Sequence, residues 1–566
     1  MSSRLRLLKH SLAIYVAILI ATAYGVTTHS LRRNQRQNDS EATYAFVNSD
    51  NTHVPITQPF LKATDWFLTE QEITDSRGGK PRKDLSVYTS GNAIKSFTVS
   101  KDFFDSVYTD LSAIGEGCRV LLTAWESRIV PLKPDVDVRG TKSGYVKVLR
   151  DAVKRGGEIN ILAWAHIIRP EQNIEARDLI NSIPASPING ARATYIFDDR
   201  VPYISSSHHQ KSIVMAATQS SGLDEHPIAY VGGIEITKDR WDTIDHDNSP
   251  LRDAAGITYQ YNGWIDGEIR IHGPAAKDVA NNFLARWNSD EKPCIGLDDD
   301  LLNFKNPKFK KLPPLHYTSS NTTSQLGKKN VQIVRTFSCK SKQYKRFAPH
   351  GEISLLRARV KAIKKAKNYI YIEDQYFIFV PELFNALMDA MPRLQKVIVV
   401  AQSPTGVKYA GYEKYFYDMV SPLKKKYPTK FKVYTTKLDL KIYIHSKIVI
   451  IDDVYVSIGS ANWNRRSMTS DSELNANVVD DHIIQSPDGV LVNEFARHFR
   501  IRKFQEMTGV LYNELDAMTF LDAAKQFDVA AAKNNSLLQE LDAEYYLYYI
   551  VTDIIREQVD PEDICF

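Results

Sequence analysis

Two short stretches of this sequence set an imidazole beside an ammonium at the same spacing: Ser207-His208-His209-Gln210-Lys211 and Ile444-His445-Ser446-Lys447. In an extended strand residues i and i+2 share a face, so His209 projects with Lys211 and His445 with Lys447, while His208 turns away into a core or supporting role. The second stretch runs on through apolar Ile448 to Ile451, turns at Asp452-Asp453 and returns through Val454 to Ile458 into Gly459-Ser460-Ala461-Asn462. Glycine admits close backbone approach, and Ser460 and Asn462 add neutral donors beside Lys447, which makes a cradle for an anion. A phosphate diester suits it, because its charge grows and spreads over oxygen in the transition state, where fixed cations help most. One neutral imidazole can attack phosphorus; the opposite one, protonated, gives its proton to the leaving alcohol and then activates water or another alcohol. An acidic partner on each ring would hold tautomer and charge. With Lys211 and Lys447 offsetting the phosphate charge, neither a metal nor another cofactor is expected.

The elements that must position these groups repeat along the chain. Helical stretches at Phe103 to Ile114 and Glu352 to Lys367 precede apolar runs at Val120 to Trp125 and Tyr369 to Glu373. Each run leads to another helix and strand, Tyr145 to Arg155 then Ile159 to Trp164, and Glu382 to Ala390 then Lys396 to Ala401, before its His-x-Lys. Short β-rich runs alternating with helices predict an α/β fold with both sheet faces covered. Two similar α/β/α halves related by a pseudo-twofold axis would bring both histidines and both lysines around one anion at their interface. Trp241, Trp264 and Trp287 are expected to pack in the core.

On these residues the sequence resembles the phospholipase D superfamily, whose signature H-x-K-x4-D-x6-G-S-x-N is matched by His445, Lys447, Asp452, Gly459, Ser460 and Asn462. The first half departs from it: Ala216 stands at the aspartate position, and Gly232-Gly233-Ile234-Glu235, where the family's phospholipases often have G-G-I-D, comes later than the signature spacing. Arg240-Trp241-Asp242-Thr243, the run from Gly273-Pro274 to Arg286-Trp287, and Tyr371-Ile372-Glu373-Asp374-Gln375-Tyr376-Phe377 are similar to motifs of eukaryotic phospholipases D. The resemblance implies a two-half fold, a phosphohistidine mechanism and a glycerophospholipid substrate such as phosphatidylcholine at a membrane surface. Water or an alcohol would be the acceptor and the catalytic unit monomeric. It implies phosphate contacts from Lys211, Lys447, Ser460, Asn462, Gly232 and Gly233, with Asp452 supporting a turn of the motif. Orienting acids are expected at Glu473 and, in the first half, at Asp242. The family assigns the N-terminal histidine, here His209, as nucleophile and His445 as acid; the residues alone do not order the two. A nucleic-acid phosphodiesterase with the same chemistry and a non-enzymatic lipid-binding protein, the latter prompted by Ala216 and Glu235, are the alternatives.

Composition fits a soluble globular body: 43% hydrophobic and 25% charged residues exclude a disordered or polytopic membrane chain. A net charge of +5 is too small for the extended basic surface that nucleic-acid binding leans on, so any anion site is local. Cys118, Cys294, Cys339 and Cys565 form no C-x-x-C pair and so read as neither a zinc nor a redox motif. Arg4, Arg6 and Lys9 before the apolar run Leu12 to Val26, with Ala21 and Ala23 near its end, predict a secretory signal or a retained signal anchor over 1–26. Sequons at Asn38, Asn321 and Asn534 are compatible with export. The remaining organisation reads as a polar stalk over 27–63, an N-terminal half over 64–297, a linker over 298–330 bearing Lys308, Lys310 and Lys311, a C-terminal half over 331–510, and a helical extension over 511–566 that contains Tyr545, Tyr546, Tyr548 and Tyr549. No regulatory lipid-binding domain is expected upstream.

Overall fold

The alternating apolar runs and helices are realised as two half-sheets joined edge to edge. The structure, a computed structural model, describes residues 54–563 apart from 167–169, 204, 218–226, 296, 298–302, 316–325, 346, 405–411, 545–555 and 558. The N-terminal apolar run, Asn38, Asn321, Cys565 and the four C-terminal tyrosines lie outside the described residues.

The first half contributes β1 (Thr89–Phe97), β2 (Cys118–Ala124), β3 (Glu158–Trp164), β4 (Ala193–Asp198), β5 (Ser212–Ala217), β6 (Ile228–Gly232), β7 (Gly263–Ile265) and β8 (Glu268–His272). The second contributes β9 (Lys329–Thr336), β10 (Tyr369–Asp374), β11 (Lys396–Ala401), β12 (Phe431–Thr436), β13 (Ile442–Ile444), β14 (Lys447–Ile451), β15 (Tyr455–Gly459) and β16 (Glu473–Asp480). In space the first half runs β1-β8-β6-β5-β2-β3-β4 and the second β9-β16-β15-β14-β10-β11-β12, the same order element for element, and the antiparallel β1–β9 contact joins them. In each half the trio farthest from that junction is parallel (β2-β3-β4, β10-β11-β12) and the remaining pairs are antiparallel. Strands such as Lys396–Ala401, buried on both faces, need the helices that cover them. In the first half the helix Tyr145–Lys154 covers β3 and β4 with Tyr145, Val148, Leu149 and Ala152 on one side, the spacing that keeps one face apolar.

Each half has an outer core beneath its own helices, while a third core is shared: Val214, Ile269 and Phe283 of the first half pack with Ile448, Val456 and Phe504 of the second. That shared core holds the catalytic ends of the sheets in one register.

Three boundaries differ from the sequence reading. Residues 64–77 cover the second half, not the first: Trp66 is fully buried and stacks on Tyr455, and Arg77 pairs with Glu352 at 3.0 Å; Asp84 and Ser86 then bond to Asn281 and Asp278 of the first half. The end of the expected stalk is tied down as well, with Thr57 bonded to Asn368. Within the expected linker, residues 303–315 lie on the first half through Phe304, Leu312 and Leu315, held by the Asn306 and Asn288 side chains, while Lys308, Lys310 and Lys311 stay exposed. Beyond residue 510 the helices Tyr512–Ala517 and Phe520–Ala532 are joined by an extended piece, Leu538–Glu540, that adds an edge strand beside β12.

Candidate active site

Two short parallel pairings across the halves set the site. β7 pairs with β13, Ile265 opposite Ile444, so the next residues, Asp266 and His445, leave the ladder side by side. The pseudo-symmetric pairing joins His208 to Ser472, and there His209 and Glu473 leave together. Backbone bonds lock both crossings, His445 N–H to Ile265 O at 2.8 Å and His209 N–H to Ser472 O at 3.0 Å. Each imidazole is thereby oriented by the other half's carboxylate: His445 Nδ1 lies 2.7 Å from Asp266 Oδ2, and His209 Nδ1 lies 2.9 Å from Glu473 Oε1. An Nδ1–H donated to a carboxylate leaves Nε2 as the lone-pair nitrogen.

The lysines are fixed in a matching way. Lys211 Nζ donates to the carbonyl of His209 at 2.9 Å, and Lys447 Nζ donates to the carbonyl of His445 and to Gln375 Oε1. Both ammoniums are buried. Burial holds both imidazoles well below the ordinary histidine range, and the nearby lysines add to it, so both rings are neutral in the free protein. Burial likewise pushes Lys447 down to about 7 and Glu473 up to about 7. Within the His209–Glu473 pair the proton belongs on Nδ1, because Glu473 already accepts from Ser460 Oγ at 2.5 Å and Ser467 Oγ at 2.7 Å.

His209 and His445 line one cleft of about 170 Å³, with Trp125, Trp264 and Tyr443 among its walls. Trp264 is therefore a wall as well as a packed side chain, whereas Trp241 and Trp287 are core residues as expected. His208 stands outside the cleft with its Nδ1 on Ser472 Oγ at 2.9 Å.

The sequence-based roles of several residues change. Asp242 bonds neither site imidazole; its carboxylate lies 2.7 Å from His246 Nδ1 and accepts from the Trp264 N–H at 2.7 Å, so it shapes the strand leading to Asp266. Asp266 is the residue that sequence reasoning missed. Its signal is the repeat register: Gly459 pairs with Asn475 and Gly232 with Glu268, and two residues before those partners stand Glu473 and Asp266. A longer excursion between β6 and β7, containing the helix Ser249–Ala254, hides that correspondence along the chain. Asp452 keeps the turn-supporting place expected of it: past the other end of β14 it accepts the backbone N–H groups of Lys367, Asn368 and Tyr369 at 2.6, 2.8 and 2.9 Å. Its counterpart Ala216 is tolerated because the equivalent turn closes on itself, Cys118 N–H to Gly115 O at 3.0 Å.

Ser460, expected on phosphate, spends its hydroxyl on Glu473. Gly232 and Gly233 serve close packing: a Cβ on Gly233 would stand 2.1 Å from Asp266 Oδ1, one on Gly232 would stand 2.3 Å from Glu268 Oε2, and the Gly233 N–H is taken by Gly267 O. Asn462 is buried with an unpartnered Oδ1, and Glu235, at the pseudo-equivalent position, accepts the Trp125 and Glu126 N–H groups and lies 3.9 Å from Lys211 Nζ.

The chain matches the family described as Phospholipase D over residues 184–399 and the one described as Cardiolipin synthase, PLD-like domain, over residues 360–500. The first match contains His209 and Lys211, the second His445 and Lys447. The chain belongs to the phospholipase D superfamily. Phospholipase D alpha 2 of Oryza sativa subsp. japonica is 24% identical over 559 residues, which cover 79% of this chain and 64% of that protein. Phospholipase D beta 1 of Arabidopsis thaliana is 26% identical over 377 residues, 47% of this chain and 34% of that one. The chain thus spans less than two thirds of the length of these relatives. A crystal structure of a phosphatidylserine synthase from Haemophilus influenzae aligns at a TM-score of 0.45 and 13% identity, covering 68% of this chain and 82% of that chain.

Proposed function

We propose that this protein is a phosphodiesterase that hydrolyses the distal phosphoester of glycerophospholipids to phosphatidate and the free headgroup, and that passes the phosphatidyl group to an alcohol when one is present. The carrying observation is the crossed pairing of two buried imidazoles with carboxylates of the opposite halves, both rings lining one cleft, with the buried Lys211 and Lys447 close enough to act on them. In this mechanism the Nε2 lone pair of His209 forms a bond to phosphorus as the bond from phosphorus to the headgroup oxygen breaks. That oxygen takes the proton of His445 Nε2. That proton is taken up from solvent when substrate binds, because the anionic phosphate opposes the effect of the lysines and restores proton affinity to His445 Nε2. In the second step His445 Nε2 takes a proton from water or an alcohol, the new oxygen–phosphorus bond forms, and the phosphorus–nitrogen bond breaks. Glu473 and Asp266 hold each Nδ1–H and stabilise the imidazolium that forms. The basic start and apolar run of residues 1–26 fit delivery of this unit to the secretory pathway, free or anchored, where it would meet a membrane surface.

The test is incubation with phosphatidylcholine and ethanol, read by mass spectrometry of the extracted lipids. Phosphatidate and phosphatidylethanol are expected from the wild-type protein and from His208→Ala, and neither from His209→Ala or His445→Ala. Hydrolysis of DNA with no lipid product would favour the nucleic-acid reading; lipid binding without any turnover would favour a binding protein.

A further inference from the structure

The outer wall of the cleft carries more cation than its own carboxylates match. Arg128, Lys238, Arg240 and Arg466 line it together with the acids Glu126 and Asp239. Arg128 is satisfied by Glu126 at 2.6 Å and Arg466 by Asp471 at 3.1 Å. Asp239 spends its oxygens inward, accepting the N–H groups of Tyr259 and Gln260 at 2.6 and 2.8 Å. Two cations remain. Arg240 is 7% exposed; its Nε is buried without a partner, its guanidinium stands 3.8 Å from Glu235 and 3.9 Å from Glu126, and its one hydrogen bond is to the Lys238 carbonyl at 3.3 Å. Lys238 has no ion-pair partner among the described residues.

Neither Trp264 nor Tyr259 offers a free face to a quaternary ammonium, since Arg128 lies over the Tyr259 ring at 4.5 Å. Arg240 already lies over the ring of Trp264, 3.9 Å from its centroid, and Trp264 in turn packs against His445 at 5.0 Å. The Trp264 face is covered by a cation, and a second positive group entering there would be repelled. A guanidinium fixed on an aromatic plane in the cleft wall, with no carboxylate at hydrogen-bond distance, is instead a cation already set in place for an oxyanion.

We propose that Arg240 and Lys238 form a second oxyanion subsite beside the reacting phosphorus, and that it receives an anionic group carried by the headgroup, so that the preferred substrate is a lipid with an acidic headgroup such as a phosphorylated polyol. This rests on the phospholipase reading and names the substrate class of the same cleft. Two charge-assisted contacts should raise kcat/KM for such a lipid by about ten- to a hundredfold over its uncharged counterpart.

The experiment compares dibutanoyl phosphatidylinositol, dibutanoyl phosphatidylinositol 4-phosphate and dibutanoyl phosphatidylcholine below their micellar concentrations, which removes attraction of the protein to a charged surface. The full-length protein is expected to favour the phosphorylated inositol lipid over the plain one by at least about tenfold, and Arg240→Gln and Lys238→Gln each to lower that ratio by about tenfold. Arg240→Lys should keep part of the ratio. Lys238 is partly exposed, so its variant reads the subsite even where loss of the buried arginine harms folding. A wild-type ratio near one, a preference for the choline lipid, or a ratio untouched by both substitutions overturns the subsite. Equal loss on all lipids in Arg240→Gln with Lys238→Gln silent also overturns it, because the arginine then serves only the reacting phosphate. No turnover of any of the three lipids, or of long-chain phosphatidylcholine, strikes instead at the phospholipase reading.

Discussion

Replacing Lys447 by methionine should abolish turnover and, near pH 6, make the protein more stable. The ammonium is 1% exposed, and burial lowers it from 10.5 to about 7. At about 1.4 kcal/mol per pKa unit, keeping that charge in the folded site costs on the order of 5 kcal/mol below pH 7. Methionine fills similar volume without charge, but it leaves Gln375 Oε1 and the His445 carbonyl without their donor, roughly 1 kcal/mol for each. The net gain at pH 6 is then about 3 kcal/mol. The sign follows from the direction of the shift. Below the folded value both states hold the proton and the full cost stands; between about 7 and 10.5 the unfolded chain binds more protons than the folded one, so wild-type stability rises with pH and the gap closes. Near pH 9 the cost has fallen to about 2 kcal/mol, and the two proteins should unfold alike. Urea unfolding of both proteins at pH 6, 7.5 and 9, followed by tryptophan fluorescence, measures the gap directly. A variant less stable than wild type at pH 6, or a gap that does not narrow with pH, would refute the argument that the site stores the cost of a buried, underneutralised ammonium.

Asp266→Asn should lower kcat by about 100- to 10,000-fold at unchanged fold, because an amide favours the wrong His445 tautomer; Asp242→Asn should show its main effect as a lower thermal midpoint, with kcat measured beside it. Ser460→Ala removes a bond that lowers the Glu473 pKa, so the acid limb of the kcat/KM–pH profile, expected near pH 7 where Glu473 gains a proton and Nδ1–H loses its acceptor, should move to higher pH. Asp452→Ala orphans three buried backbone N–H groups and should cost about 3 kcal/mol or more by chemical unfolding, while the folded fraction keeps its kcat.

The two α/β halves and the pairing of two His-x-Lys motifs were legible because they rest on local patterns: short apolar β-rich runs, helices between them, and a motif repeated at matched distance from similar strands, whereas the strand order was not. The pairing of acids was half legible. Glu473 follows its glycine, serine and asparagine closely in sequence, so its place is visible, but Asp266 is separated from Gly232 by an inserted helix and is found only through sheet register. Asp242 misled because it stands in a family-like motif and is buried, yet burial there serves His246 and the Trp264 backbone. Ser460 and the two glycines were read as phosphate contacts from residue type alone; which way a hydroxyl or an N–H points depends on Glu473 and Gly267, supplied from elsewhere in the chain. The attachment of residues 64–77 to the distant half was equally hidden, since nothing local to Trp66 tells which of two similar cores will bury it.

One measurement reaches the centre of the account, the sharing of a single phosphorus by imidazoles from opposite halves. Rapid acid-free quenching of the protein turning over phosphatidylcholine, followed by peptide mass mapping, should find a phosphatidyl group on one histidine of the pair His209 and His445, with the adduct building up when the other member is replaced by alanine after the first chemical step is supplied by an activated p-nitrophenyl phosphodiester. No histidine adduct under turnover, or an adduct that survives in the His209→Ala/His445→Ala double variant, would contradict it.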